Sequence, residues 1–138
     1  MAAPAEQDLA FLGIAEAGRR FRRGELSPPA YAEALLARIA RLNPALNAFL
    51  LVTGERALAE ASRAGEELAA GRDRGPMHGI PYALKDIADV AGLPTTCHSK
   101  LRAGHVASRD AAVVRRLAEG GAVLLGKVAL HEIGRAHV

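Results

Sequence analysis

One stretch constrains the fold more than any other: GIPYALKD, residues 79–86, an apolar run that opens on glycine and closes on a lysine and an aspartate. Side chains alternate along a strand, so Ile80, Tyr82 and Leu84 share one face while Ala83 and Lys85 share the other. Pro81 has no N–H for a ladder and belongs at the strand's start or edge. The strand ends on an amine. The chain holds 3 lysines against 15 arginines, so Lys85 stands against a strong compositional bias. A guanidinium keeps its proton at any useful pH, whereas a desolvated lysine can lose it and serve as a general base. Lys85 is therefore the candidate catalytic residue, with a surface lysine paired to its neighbour Asp86 as the plainer alternative.

A chain of 138 residues is one domain's worth and buries a modest core. Much of its apolar half is alanine and only 4% is aromatic, a composition that favours helices. No apolar run approaches the roughly 20 residues that span a bilayer, so no membrane partner is expected. Glu6 and Asp8 interrupt any secretory pattern, and the location expected is cytoplasmic. The single cysteine, Cys97, excludes an internal disulfide and a cysteine-rich metal site. His78, His105 and His131 lack metal-ligand spacing and read as ordinary polar residues; neither metal nor cofactor is expected. The net charge is +3, and the one dense basic cluster is residues 19–23. It falls late in a predicted helix, where cations suit the dipole, so it reads as a solvated helix end rather than a polyanion site.

Residues 1–7 read as disordered. Phe11, Ile14, Gly18 and Phe21 recur at helical spacing and predict a helix over 8–23, closed by Gly24. Ser27 before two prolines predicts an N-cap, and Tyr31, Leu35, Ile39 and Leu42 the buried face of a second helix ending at Asn43-Pro44. Residues 46–52 suit a short strand. Thr53 is expected to cap a third helix that buries Leu58, Ala61, Gly65 and Leu68. A polar loop (71–76), the Lys85 strand, and a loop over 95–104 follow. Asp110 is expected to cap a helix packed through Val113, Val114 and Leu117 and closed by Gly120-Gly121. Residues 122–125 predict a buried strand, with Gly126-Lys127 leaving it and a new helix starting near Val128. Lys127 reads as support for that corner rather than chemistry. Strand, loop, helix, strand points to an α/β sheet with a crossover.

Several segments, in order, resemble the amidase signature family of serine hydrolases: GIPYALKD, then DVAGLPTT (89–96), Ser99, RDAAVV (109–114), GAVLLGK (121–127) and LHE (130–132). ELS (25–27), RLNP (41–44) and LNAF (46–49) fit its front end, so the similarity covers about residues 10–132. The resemblance implies the N-terminal portion (1–132) of a mixed sheet wrapped by helices, the first helices forming a peripheral layer. It implies amide-bond hydrolysis by a Ser–cis-Ser–Lys triad, with Lys85 at the lysine position and a small-molecule amide as substrate. A free lysine titrates near ~10.4, and burial has to lower that toward about 7–8 for efficient base catalysis; Leu84, Ile87 and the sheet are the expected desolvating groups. The chain departs from the family at Ile87, where asparagine is common, and at Cys97-His98, where Gly-Ser is common. Adjacent residues rarely face one substrate together, so Cys97 and His98 read as loop residues and not as a catalytic dyad.

The family's two catalytic serines follow the LHE segment. This chain has Ser27, Ser62, Ser99 and Ser108, none in a glycine-rich turn suited to an oxyanion hole. Alone it is expected to be inactive. Glu132 to Val138 breaks from the family pattern, and GAGATCGGAAGAGCACACGTC, which encodes it, matches a common sequencing adapter in all but its first base. Residues 133–138 are therefore expected to be an artefactual tail, without a role for Arg135 or His137. A free-standing amidase is the favoured reading, from the unusual TTCHS loop (95–99). The alternatives are the glutamine-hydrolysing component of a tRNA-dependent amidotransferase, a non-catalytic helical interaction domain, and a Schiff-base enzyme using Lys85. Direct nucleic-acid contact is expected only for the amidotransferase component.

Overall fold

The computed structural model describes residues 9–130. Helix α1 spans Ile14–Arg23, α2 Pro28–Leu46 and α3 Gly54–Ala69; strand β1 covers Phe49–Val52 and β2 Pro81–Lys85. A 3-10 turn at Lys100–Arg102, helix α4 (Ala112–Glu119) and strand β3 (Val123–Val128) complete the order. Strand β3 lies at the centre, with β1 antiparallel on one side and β2 parallel on the other. The α/β class and the crossover from β2 through α4 to β3 are as the sequence implies.

Two layers cover the sheet. Ala32 of α2 and Ala57 and Ala61 of α3 pack on Val123 and Leu125. Small alanines let the helices approach closely, and α3 lies directly on β3. On the other face Leu84 and Leu124 pack with Val90 and with Val114 of α4. A third cluster joins Leu9, Ala17, Phe21, Tyr31 and Ile80 under α1, with the Phe21 and Tyr31 rings tilted and 5.9 Å apart. The first helices thus form a layer on one side of the sheet.

Local signals explain most boundaries. Gly24 adopts the left-handed conformation (φ 70°), and its N–H closes α1 on the Arg20 and Phe21 carbonyls. Ser27 Oγ accepts from the Ala30 N–H at 3.3 Å ahead of the two prolines. The basic cluster is ion-paired: Arg19 and Arg20 with Glu16 and Arg23 with Glu25 nearby in sequence, and Arg22 with Asp73 of the distant 71–76 loop.

Other expectations are corrected. The first helix is broken at Leu12-Gly13, so Phe11 is 80% exposed and Ile14 is exposed too, while Ala17 and Phe21 carry the buried stripe. Helix α2 continues through Pro44 to Leu46 and is closed by Asn47 in a left-handed conformation. Asn43 instead ties the helix end to β1, donating to the Phe49 carbonyl at 3.0 Å and accepting from its N–H at 2.8 Å. Thr53 makes no side-chain cap; its hydroxyl donates to the Leu124 carbonyl at 2.7 Å. Glu60 accepts from the Leu124 N–H at 2.9 Å, so side chains of the α3 region extend the β3 ladder where β1 has run out. The buried side of α3 is Ala57, Ala61, Ala64 and Glu67, one position round from that expected. Asp110 accepts from the Ala91 N–H at 2.7 Å, and Ala111 occupies the N-cap of α4. Gly126 and Lys127 lie inside β3, which runs on to Val128. The tail at 133–138, with Arg135 and His137, and His131 lie outside the described residues, as does the expected disorder of residues 1–7.

Candidate active site at the carboxyl end of the parallel strands

Strands β2 and β3 run parallel and finish together, Lys85 opposite Val128. Ligand sites in open α/β sheets gather at such carboxyl ends. Lys85 is exposed there and its Nζ donates to the Ala129 carbonyl at 2.8 Å. Asp86 turns to the opposite side and is buried. The amine does not pair with Asp86. Within residues 9–130 its expected desolvating shell is also elsewhere: Leu84 belongs to the core, and Ile87 is 63% exposed.

The buried lysine is a different one. Lys127 has no exposed surface, and its ammonium pairs with Asp86 Oδ1 at 2.7 Å. It also donates to the Pro94 carbonyl and the Thr95 hydroxyl, both at 2.8 Å. Three N–H groups meet three acceptors, the full capacity of an ammonium. The other Asp86 oxygen accepts from the Thr96 N–H at 3.0 Å and from the Thr96 hydroxyl. Burial alone would raise the Asp86 carboxyl; the Lys127 ammonium and the two Thr96 donors outweigh it and hold the group below its usual range.

Strand irregularity places Lys127. Tyr82 pairs with Leu124 and Ala83 with Gly126, so Leu125 is an extra residue in β3. Such a bulge reverses the alternation of side chains beyond it. Leu125 faces the helices, yet Lys127, two residues later, reaches the Asp86 and Pro94 side. Glycine at 126 is required by space: a Cβ there would lie 2.1 Å from the Leu51 carbonyl oxygen. Sequence reasoning missed the pair, although a lone lysine after an unbroken apolar strand was its signal.

The loop over 95–104 is pinned to this end as well. The Cys97 N–H donates to the Asp86 carbonyl at 2.9 Å, and Thr95 N–H to that of His105 at 3.0 Å. Cys97 and His98 are both exposed and both left-handed, with φ of 50° and 56°. Ser99 accepts from the Leu101 N–H and caps the 3-10 turn, and Ser62 bonds Glu66 on α3. No described group of three or more His, Cys, Asp or Glu side chains is placed to hold a metal. No described helix is long and apolar enough to cross a membrane.

At the strands' other end, His78 is buried among charges. Its Nδ1 accepts from the Arg74 N–H at 3.1 Å, which leaves Nε2 to donate to Glu67 Oε2, also at 3.1 Å. Arg74 Nε donates to the same carboxylate at 2.7 Å, and that hydrogen bond holds Glu67 below the usual carboxylate range. His78 is thus an internal structural residue.

The description "Amidase" fits the family whose model matches residues 30–136. This chain belongs to the amidase family. One of its relatives, a component of the glutamyl-tRNA(Gln) amidotransferase of Prochlorococcus marinus (strain MIT 9303), is 44% identical over 121 residues, 88% of this chain and 25% of that protein. The acylamidase of Rhodococcus erythropolis is 36% identical over 129 residues, 94% of this chain and 27% of its own. Among solved structures, the peptide amidase of Stenotrophomonas maltophilia superposes with a TM-score of 0.80 at 39% identity, covering 86% of this chain and 25% of that one. The chain spans about a quarter of the length of the relatives it matches, and the fold is that of their N-terminal part.

Proposed function

We propose that this chain supplies the amine-bearing quarter of an amide hydrolase, with Lys85 as its catalytic base. The observation that carries the reading is the placement of Lys85: an exposed amine at the carboxyl end of a parallel strand pair, within the segment matched to the amidase family. In the reaction proposed, neutral Lys85 takes a proton from a bridging serine, which takes one from a nucleophilic serine. The nucleophile's oxygen bonds to the amide carbon, the C–N bond breaks, and the amine leaves with a proton. Water then hydrolyses the acyl-serine. The two serines and the oxyanion hole are assigned to sequence outside residues 9–130, because Ser27 and Ser99 serve as caps, Ser62 lies on α3 and Ser108 follows the exposed loop. The same outside sequence has to desolvate Lys85. Residues 1–138 alone are therefore inactive on this reading; the substrate is a small amide and the setting cytoplasmic.

Lys85→Ala in the full-length protein tests the role. General-base catalysis contributes about 10²–10⁴-fold, so kcat should fall by that order while the thermal midpoint stays put. Undiminished turnover removes Lys85 from the mechanism. A second reading, the glutamine-hydrolysing component of a tRNA-dependent amidotransferase, is supported by the likeness to the Prochlorococcus protein. It requires companion chains, so glutamine hydrolysis that rises only when such chains are added would favour it over a free-standing amidase.

A further inference from the structure

Every polar atom of Asp86 is engaged. Its N–H donates to the Val128 carbonyl at 3.1 Å, and its carbonyl accepts from Cys97 N–H. One carboxylate oxygen meets the Lys127 ammonium, and the other meets Thr96. Lys127 in turn grips Pro94 and Thr95. A single buried ammonium thus joins the central strand, the residue after Lys85 and the 94–97 loop. A buried ion pair is seldom the most effective way to stabilise a core, because apolar replacements of similar volume often do as well. Its distinctive capacity is to fix one geometry. Here the geometry fixed is that of the backbone carrying Lys85, whose own side chain has one described hydrogen bond, to the Ala129 carbonyl.

We propose that Lys127 is a positioning residue for Lys85, acting through Asp86: it sets where the amine leaves the end of β2 and where the 94–97 loop stands beside it. The role rests on Lys85 being the base. Without Lys127, Asp86 loses its buried counter-charge, the turn after β2 relaxes, and the amine samples positions away from the reacting hydroxyl. Proximity effects are steep enough that a displacement of about 1 Å lowers turnover about 10²-fold. Substrate binding by other parts of the protein is untouched.

The test compares three variants of the full-length protein on an acyl p-nitroanilide: Lys85→Ala, Lys127→Met, and the paired Lys127→Met with Asp86→Asn. The paired variant leaves no buried charge without its partner, so it recovers stability and carries the test if Lys127→Met alone fails to fold. A positioning role predicts that kcat falls at least about tenfold in both Lys127 variants with KM within about twofold, and that it stays low in the paired variant although the thermal midpoint recovers. Recovery of kcat along with stability, while Lys85→Ala is inactive, overturns the positioning role and leaves the base intact. Full activity of Lys85→Ala overturns both.

Discussion

The two ends of the β2–β3 pair solve the same problem in different ways. Both bury ionic groups. At the amino end, Glu67 is shared by Arg74 and His78, and the Gly79 N–H donates to the Gly121 carbonyl at 2.9 Å. At the carboxyl end, Asp86 is shared by Lys127 and Thr96. Among the described residues, no lysine or arginine begins either strand at the amino end, whereas the carboxyl end of β2 carries Lys85. The turns differ too. At the amino end the left-handed positions are glycines, Gly75, Gly79 and Gly121, whereas the carboxyl end puts Cys97 and His98 into that conformation. One end is built for close packing and the other tolerates local strain beside an exposed amine. Strain retained near a site is common where geometry serves chemistry.

The contrast breaks most visibly at Gly121. A Cβ there would lie 2.4 Å from His78 Cδ2, at a φ of +73°. Overpacking costs about 1–3 kcal/mol and a left-handed L-residue about 1–2 kcal/mol. Gly121→Ala should therefore destabilise by about 3 kcal/mol, read from the urea midpoint, while turnover of the full-length protein at permissive temperature is unchanged. A wild-type midpoint would mean that the amino end is not the tightly packed one.

Acid should separate the ends next. Asp86 is held below its usual range in the fold, so it stays ionised where the unfolded chain would take a proton. Its contribution is full above its ordinary value, about 4, and is lost as the pH falls through the lowered folded value. Glu67 follows the same sign through Arg74. The thermal midpoint is expected to drop below about pH 4, and Asp86→Asn should flatten part of that drop while lowering the midpoint at pH 7. If the drop is as steep in Asp86→Asn, the lability belongs to the amino end.

Much of this was legible in the chain. Ser27 before prolines and Gly24 after a basic turn each encode local geometry that tertiary context did not override; the alternation holds for Tyr82 and Leu84, whereas Ile80 packs in the cluster under α1. The family resemblance carried the fold class as well. Three of the failures share one cause: the decisive partner lay far along the chain. Thr53 and Asp110 have good cap chemistry, but the Leu124 carbonyl and the Ala91 N–H claimed them. Gly126-Lys127 has the look of a turn, and only the close approach of Leu51 and the distant Asp86 make it strand. Lys85 was expected to be buried because the lysine chemistry asked for burial; within residues 9–130 the buried amine is Lys127. A periodicity argument weighs neighbours at short spacing and is blind to a partner some forty residues away.

The smallest effect bears on the strained turn at the carboxyl end. His98 has φ 56°, and its N–H donates to Thr96 Oγ1 at 3.1 Å, a bond that any residue keeps. Its imidazole is exposed, so removing it opens no cavity. Glycine relieves the left-handed penalty of about 1–2 kcal/mol but gives back about 0.5–1 kcal/mol of backbone entropy. His98→Gly should thus stabilise by about 0.5 kcal/mol, as a slightly higher urea midpoint at constant slope. Turnover of the full-length protein then discriminates what the strain is for. If turnover is unchanged, the ion pair alone sets the site and the strained turn is a tolerated defect. If it falls while stability rises, the turn takes part in positioning, and the two ends differ in purpose as well as in packing.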